Sequence, residues 1–241
     1  MAYVTQLIRQ WEAARGTRCF EFEKPRGFTY RAGQAVDVVL DSGNVKKKRF
    51  DPSSDPRSNL VKMSQTFSLV SAPKEKTLSI ATRIRESGFK KKLLALKAGE
   101  RVKLEGPFGS FVLHGDASRP AVFIAGGIGI TPFVSMLRGS FLKKEKRGIV
   151  LFYSNHTPKD APFLEELRDC AIRHEQFTFV PTFTASSGRI DKRTLKKYLG
   201  RKVHCIFYIA GTLAFVTALR ETVLAMGVSD DDVRTDEFPG Y

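Results

Sequence analysis

The hydrophobic pattern of this chain changes its period near residue 115, and that change limits the fold more than any single motif does. Beyond it, a continuous apolar run at residues 121–125 is followed by a helical stretch at residues 132–142. The same alternation repeats to about residue 226. Strand, helix and strand in series predict a parallel sheet with right-handed crossovers. We therefore expect an α/β domain over residues 116–241.

The first half shows short strand patterns instead. They cover residues 18–23, 35–40, 66–70, 78–84 and 101–105, with one helix expected at about residues 89–97. Residues 41–64 are polar and rich in Lys, Ser, Pro and Asp, which predicts a surface loop. Residues 1–115 are therefore predicted to form an antiparallel β-barrel with one helix.

The chain carries 40 Lys and Arg residues against 25 Asp and Glu residues, a formal net charge of +15. This balance is either a solvated basic face or an attraction for anions: nucleic acid, acidic lipid, an acidic protein or a phosphorylated cofactor. No zinc finger, ribonucleoprotein aromatic motif or helix-turn-helix pattern accompanies it, so we expect no nucleic-acid partner. No apolar run reaches the ~20 residues of a membrane span, and no signal-peptide pattern is seen, so a cytoplasmic location is expected.

The three cysteines, Cys19, Cys170 and Cys205, are single and far apart. They offer neither a disulfide framework nor a zinc spacing, and we expect no metal site. An iron–sulfur cluster usually takes about four thiolates, so any cluster would belong to a partner.

Glycines mark the point where the first strand of the second half becomes a helix. The sequence AGGIGITP at residues 125–132 lets the backbone approach a pyrophosphate, whose charge the free amides of the helix start would favour. Pro132 suits the first helical turn. The spacing departs from G-x-G-x-x-G, and a plain tight turn is the alternative.

Three motifs in order carry a resemblance to a known family. They are TFSLVSAP at residues 66–73, GPFG at 106–109 and AGGIGITP at 125–132. Their order and spacing resemble the ferredoxin–NADP reductase family of flavoproteins, most of all its small stand-alone bacterial members. The similarity runs from Gly33-Gln34 to the end of the chain. It implies an FAD-binding barrel over residues 1–115 and an NAD(P)-binding domain over residues 116–241.

The resemblance implies an FAD site on the barrel. Phe67 takes the position of an aromatic that stacks on the flavin, and Ser68 that of a catalytic hydroxyl near the ring's central nitrogen. Gln65 replaces the family's phosphate-binding arginine, and Arg83, Arg85 or Lys90 are candidates to substitute for it. The FAD-binding residues implied are Gln65, Thr66, Phe67, Ser68, Thr82, Arg83, Ile84, Arg85, Gly88, Phe89 and Lys90.

The resemblance also implies a nicotinamide nucleotide site. The residues implied are Gly126, Gly127, Gly129, Thr131, Pro132, Ser154, Asn155, His156 and Gly211. Residues 154–156 lie where the family reads the adenosine ribose or its phosphate. His156, Lys159 and Arg189 are candidate phosphate ligands and no acid lies beside Ser154, so NADPH is favoured while NADH stays open. Residues 210–213 depart from the family's Cys-Gly-Pro-Pro turn.

The last residues resemble an acidic, aromatic ending that folds beside the flavin. Phe238 and Tyr241 are expected at the cofactor, and Glu237 or Asp236 is expected to handle protons as a catalytic group. A frayed tail is the alternative.

The predicted function is hydride transfer from NAD(P)H to FAD, then release of single electrons to a protein carrier. An acidic ferredoxin or flavodoxin suits the +15 charge, with Lys46–Arg49 as a candidate contact patch. One alternative is reduction of a small acceptor, free flavin or a ferric chelate. The other is a flavin-binding electron-transfer subunit of a larger complex, although the presence of both halves favours an autonomous enzyme.

Overall fold

A computed structural model describes residues 1–40, 63–200 and 204–238. Most of the predicted loop at 41–64 lies outside this part, as do the Lys46–Arg49 patch and Tyr241. The elements of the first half are β1 (Ala2–Ala14), β2 (Thr17–Glu23), β3 (Ala35–Leu40), β4 (Met63–Ser68), β5 (Thr77–Arg83), α1 (Gly88–Ala95) and β6 (Arg101–Phe108).

The first half forms a six-stranded antiparallel sheet in the order β4-β3-β6-β1-β2-β5. An antiparallel bridge between Leu69, just after β4, and Ile80 of β5 joins the two ends of the sheet. The bridge is extended by the Val70 amide, which donates to the Ser79 carbonyl at 2.8 Å. Because the sheet closes on itself, its strands enclose an apolar core of their own.

Strand β1 is shared by the two parts of this barrel. Its first residues pair with β6 and its later residues with β2. Register shifts between Leu7 and Arg9, and between Glu12 and Ala14, bend the strand along the β2 ladder. Bulges of this kind increase local twist, which allows one long strand to turn a corner of a barrel.

The second half is a parallel sheet in the order β11-β10-β7-β8-β9. Its elements are β7 (Ala121–Gly126), α2 (Thr131–Leu142), β8 (Ile149–Asn155), α3 (Leu164–Arg173), β9 (Phe177–Phe183), α4 (Lys192–Leu199), β10 (Ile206–Gly211), α5 (Leu213–Leu224) and β11 (Val233–Glu237).

Helices cover both faces of this sheet. Along β7, Phe123 faces a core that contains residues of α2 and α3, whereas Val122 and Ile124 face a core with residues of α4 and α5. All five residues at 121–125 are fully buried. A strand buried on both faces must be apolar throughout, which explains the continuous run in the sequence.

The barrel packs on the α2 face of the sheet. Cys19, Val70 and Ala81 of the barrel belong to the same buried cluster as Phe133 of α2. The Ser135 hydroxyl of α2 also donates to the Ser71 carbonyl at 2.6 Å. The two halves therefore share one apolar core.

The predicted fold class is confirmed: an antiparallel barrel with one helix is followed by a parallel α/β sheet. Two strands, β1 and β11, were not predicted. None of the helices within the described ranges combines the length and the apolar character needed to cross a bilayer.

Candidate functional site

A cleft of about 350 Å³ opens at the carboxyl ends of the parallel strands. Gly126 ends β7, Asn155 ends β8 and Gly211 ends β10, and all three residues line it. Strands β8 and β9 lie on one side of β7, and β10 and β11 lie on the other side, so the order of the strands reverses at β7. Open α/β sheets bind ligands at such a switch point.

The glycine turn after β7 forms the floor of the cleft. Gly127 has a φ of 53°, in the left-handed region that favours glycine. Gly129 approaches β10 so closely that a Cβ there would lie 2.4 Å from the Ala210 carbonyl oxygen. Residues Gly127–Ile130 form a single 3₁₀ turn that continues into α2. The turn therefore brings backbone and a helix start to the cleft without side chains in the way.

An aromatic ring stands over the neighbouring glycines. A Cβ at Gly126 would lie 3.0 Å from the ring of Phe215, and a Cβ at Gly211 would lie 2.8 Å from it. Thr212 fixes this ring, because its hydroxyl caps α5 by accepting a hydrogen bond from the Phe215 amide at 3.3 Å. The departure from the family's turn at residues 212–213 thus replaces proline with a helix cap.

Asn155 lines the cleft and is buried, with 6% of its surface exposed. Neither the oxygen nor the nitrogen of its side-chain amide has a hydrogen-bond partner among the described residues by distance and angle. The Tyr153 hydroxyl lies nearby but donates to the Pro162 carbonyl at 3.2 Å. Buried amides normally have partners, so Asn155 is suited to a polar ligand. Backbone bonds hold the segment in place: the Thr184 amide donates to the Asn155 carbonyl at 2.9 Å.

Two arginines of the barrel, Arg83 and Arg85, line the opposite wall. No Asp or Glu is present in the described lining of the cleft. Lys90, a third candidate, is 4% exposed and its ammonium group donates to the Arg83 carbonyl at 2.6 Å. Burial, together with neighbouring Arg85, lowers the pKa of Lys90. Lys90 therefore secures the backbone behind Arg83, and the arginines present the charge.

The predicted flavin-stacking residue lies inside the barrel. Phe67 is 4% exposed, belongs to the barrel core and has its ring 5.9 Å from that of Phe89. Thr66 points outward and donates to the Asp37 carboxylate at 2.5 Å. Ser68 is buried. The Phe67 ring therefore packs within the barrel core.

The end of the described chain adds strand β11 beside β10. Asp236 is partly buried, and its pKa is raised to about 6, mainly by this burial and to a smaller extent by the nearby charge of Glu237. Glu237 is exposed. The Phe238 amide donates to the Gly211 carbonyl at 2.9 Å, and this residue lines the cleft. The described part of the terminus is therefore ordered against β10.

Nine of the predicted site residues line the cleft together: Arg83, Arg85, Gly126, Gly127, Ser154, Asn155, His156, Gly211 and Phe238. The others lie outside its lining: Gln65, Thr66, Phe67, Ser68, Thr82, Ile84, Gly88, Phe89, Lys90, Gly129, Thr131, Pro132 and Glu237. The lining also includes Ile128, Thr184, Thr212 and Phe215, which were not predicted. Thr184 directly follows β9, so the rule that ligands bind at carboxyl ends of parallel strands could have identified it.

Comparison with known proteins agrees with this geometry. Residues 123–221 match the family model of the oxidoreductase NAD-binding domain. Flavohemoprotein B of Dictyostelium discoideum is 25% identical over 215 residues, which cover 86% of this chain and 48% of that protein. Reductase component 2 of terephthalate 1,2-dioxygenase from a Comamonas species is 26% identical over 219 residues, which cover 87% of this chain and 59% of that protein. The chain thus spans about half the length of these curated relatives.

A solved structure extends the likeness to both halves. The ferredoxin–NADP⁺ reductase of Neisseria gonorrhoeae, solved with bound FAD and NADP, superposes with a TM-score of 0.78 at 18% identity. The superposition covers 98% of this chain and 98% of that one. At this identity the comparison establishes the fold.

Proposed function

We propose that this chain, which has the fold of the ferredoxin–NADP reductases and a match to the oxidoreductase NAD-binding domain, is an FAD-dependent NAD(P)H oxidoreductase. The observation that carries the proposal is the composition of the cleft. Glycine backbone from the parallel sheet and two arginines from the barrel line the same space, which also holds the buried amide of Asn155. Such a site suits a ligand with phosphates and polar groups along its length.

The residues present fit the phosphate part of a dinucleotide. Arg83 and Arg85 offer guanidinium groups for a diphosphate. They would take over the role of the family's phosphate-binding arginine, whose position holds Gln65 in this chain. The turn at Gly126 and Gly127 allows a second dinucleotide to approach the backbone. Bound FAD would supply the conversion chemistry: acceptance of a hydride from NAD(P)H followed by release of single electrons.

We assign the remaining roles as follows. The ring of Phe215 and that of Phe238 border the place for the planar rings and exclude water from it. Asp236, whose pKa is raised to about 6, changes its protonation closer to neutral pH than an ordinary carboxyl group does, and it is therefore a better candidate than the exposed Glu237 for proton exchange beside the cleft. Ser68 stays the proposed hydroxyl near the flavin. Phe67 stays the proposed aromatic residue of the flavin site, which it would support from the barrel core.

NADPH is the proposed nucleotide. His156 lines the cleft, and its Nδ1 lies 3.2 Å from the Thr184 hydroxyl at an exposed position. The described lining has no carboxylate that would select the free ribose hydroxyl of NADH. Lys159 and Arg189 do not line the cleft.

The proposed acceptor is an acidic protein carrier, ferredoxin or flavodoxin, because the +15 charge steers acidic partners. The name of the Comamonas relative, a dioxygenase reductase component, describes a protein of the same electron-transferring kind. A small acceptor such as free flavin or a ferric chelate is the second candidate, favoured by a cleft of about 350 Å³, which is a size typical of small-molecule sites.

Anaerobic mixing of the FAD-loaded protein with NADPH, and separately with NADH, tests the proposal. We expect NADPH to bleach the flavin absorbance at a lower concentration than NADH does. If neither nucleotide bleaches the flavin, the reductase assignment is wrong.

A second experiment tests the acceptor. Turnover with ferredoxin or flavodoxin should fall steeply as the salt concentration rises, because the encounter depends on exposed charges. Turnover of a ferric chelate alone, independent of salt, would instead support the second candidate.

A further inference from the structure

A second cavity, of about 450 Å³, lies at the opposite end of the parallel sheet from the cleft. Its lining includes residues 112–115 and Ala117, which precede β7, and Glu145 and Arg147, which precede β8. These segments are at the amino-terminal edge of the sheet, whereas the cleft is at the carboxyl edge. The cavity is therefore a separate space, and the proposed nucleotide site does not use it.

Both halves of the molecule build this cavity. The barrel contributes Tyr30, Ala32 and Pro73, and helix α2 contributes Met136 and Leu142. These side chains give it a mostly apolar wall. The space is within the range of small-molecule sites, which typically enclose about 300–1,000 Å³.

The charged residues around the apolar wall are mainly basic. Arg31, Lys74, Lys143 and Arg147 line the cavity, against one acid, Glu145. The Glu145 carboxylate is shared: one oxygen lies 3.8 Å from the Lys143 ammonium group and the other accepts from the Ser140 hydroxyl at 3.2 Å. The cavity therefore keeps an excess of positive charge.

Arg147 is the deepest of these cations, with 3% of its surface exposed. Its Nη2 donates to the His114 carbonyl at 2.8 Å and its Nη1 to the Asp116 carbonyl at 2.9 Å. Burial, together with the charge of Arg147, lowers the pKa of His114, so the charge in this wall at neutral pH belongs to the guanidinium.

The charge of Arg147 is matched only by a long and shared ion pair. Its Nε has no hydrogen-bond partner among the described residues and lies 3.8 Å from the Glu145 carboxylate, which also faces Lys143. A buried cation with a distant, shared counter-charge is costly. An anion in the adjoining cavity would reduce that cost through the field of the guanidinium.

We propose that this cavity binds a small organic acid, an anionic group carried on an apolar body. The apolar wall of Tyr30, Met136 and Leu142 would receive the body, and Lys74, Lys143 and the field of Arg147 would attract the anionic group. A compact inorganic anion would leave the apolar wall uncovered, and a neutral hydrocarbon would leave the cations unmatched. Because the ligand touches both halves, its binding stabilises their contact.

The probe is anilinonaphthalene sulfonate, which carries one sulfonate on an aromatic body and fluoresces when it is bound in apolar surroundings. Saturable fluorescence with one site per chain is expected, and NADP⁺ in excess should not displace it. The neutral analogue phenylnaphthylamine, which has the same rings without the sulfonate, should bind at least about tenfold more weakly.

A pair of double variants locates the site. Lys74→Glu with Lys143→Glu reverses two exposed charges of the cavity and should raise the dissociation constant of the sulfonate at least about tenfold. The control, Lys144→Glu with Lys146→Glu, makes the same change in net charge at exposed residues that do not line the cavity, and should leave binding within about twofold. All four side chains are exposed, so both proteins are expected to fold.

Three results would overturn the proposal. They are no saturable binding, displacement of the probe by NADP⁺, and equal binding by the two double variants. None of them would bear on the proposed reductase activity, which the anaerobic mixing experiment tests separately.

Discussion

The guanidinium of Arg15, at the tip of the β1–β2 hairpin, pairs with the carboxylate of Asp160 in the second half at 2.6 Å. The Arg15 amide also donates to the Lys159 carbonyl at 2.9 Å. Asp160 in turn accepts hydrogen bonds from the amide and hydroxyl of Thr157. The barrel thus holds the turn that follows His156, at the proposed nucleotide site.

Arg15→Gln should therefore weaken nucleotide binding with little change in stability. The Arg15 side chain is 60% exposed, so the pair is worth at most about 1 kcal/mol, and we expect KM for NADPH to rise about two- to fivefold with kcat unchanged. Arg9→Gln is the matched control, since the exposed Arg9 of β1 pairs at 2.5 Å with Glu21 of the neighbouring strand β2, and this change should not alter KM. Equal effects of both changes would show that the contact does not position the turn.

The same pair predicts a dependence on pH. Burial alone would raise the pKa of Asp160, but hydrogen bonds from Thr157 and Arg15 outweigh it and hold the pKa below its ordinary value. The contribution of Asp160 to stability is therefore present above the ordinary carboxyl range and is lost as pH falls through the lowered value. Melting temperatures of parent and Arg15→Gln should converge at acid pH.

Asp236 should show the opposite sign. Its pKa in the folded protein is raised to about 6 from an ordinary 3.8, so ionising it opposes folding. The folded state gains relative stability at low pH and loses it as pH rises from the ordinary value through about 6. Asp236→Asn should be more stable than the parent at pH 8, by roughly 1–2 kcal/mol, and equal to it at pH 3. Denaturant titrations at both pH values measure this difference.

Glu237→Gln serves as the control for Asp236→Asn, because Glu237 is exposed and should change stability little. If Asp236 also exchanges protons in turnover, Asp236→Asn will remove the part of the pH–rate profile near pH 6, and Glu237→Gln will preserve it. A profile lost only in Glu237→Gln would reverse the two assignments.

Gly129→Ala should destabilise the protein by about 1–3 kcal/mol, because the new methyl would meet the Ala210 carbonyl oxygen at 2.4 Å. The atoms that the methyl would meet belong to the backbone of β10, which has little room to adjust. Gly115→Ala is the control, since nothing lies within 4 Å of a Cβ there and its backbone angle is ordinary. Thermal melts of both variants give the comparison, and equal melting temperatures would contradict the close packing of β7 and β10.

Asn155→Leu separates ligand binding from stability. Because the amide has no hydrogen bond from the described residues, its loss should leave the free protein as stable as the parent or more so. Binding of NADP⁺ or FAD should weaken about tenfold, since a buried hydrogen bond to the ligand is removed. Destabilisation of the free protein by several kcal/mol, with unchanged binding, would show that Asn155 has a structural partner instead.

The sequence predicted the parallel half closely, because strands buried on both faces leave a continuous apolar run such as residues 121–125. It failed for β1, where two register shifts break the alternation and only Thr5 and Leu7 are buried. It also failed for β11, an edge strand with the sequence VRTDE, because its polar and charged residues leave no alternation of apolar and polar side chains to detect.

The sequence predicted the part of the cleft lining that strand ends and glycine backbone form. The glycines and residues 154–156 follow strand ends, and strand order brings those ends together. It was less informative for Phe67, because a motif does not state which side of a barrel wall a ring occupies. The Phe215 ring was missed because it enters the cleft from the first turn of α5, a direction set by the Thr212 cap.

The core shared by Cys19, Val70, Ala81 and Phe133 has a consequence for how the molecule comes apart. Neither half can leave the other without exposing apolar side chains to water, so unfolding of the barrel and of the sheet should be a single cooperative transition in calorimetry. A fragment expressed from either half would expose the apolar side chains of this core to solvent, and we expect it to aggregate unless it is fused to a solubilising partner.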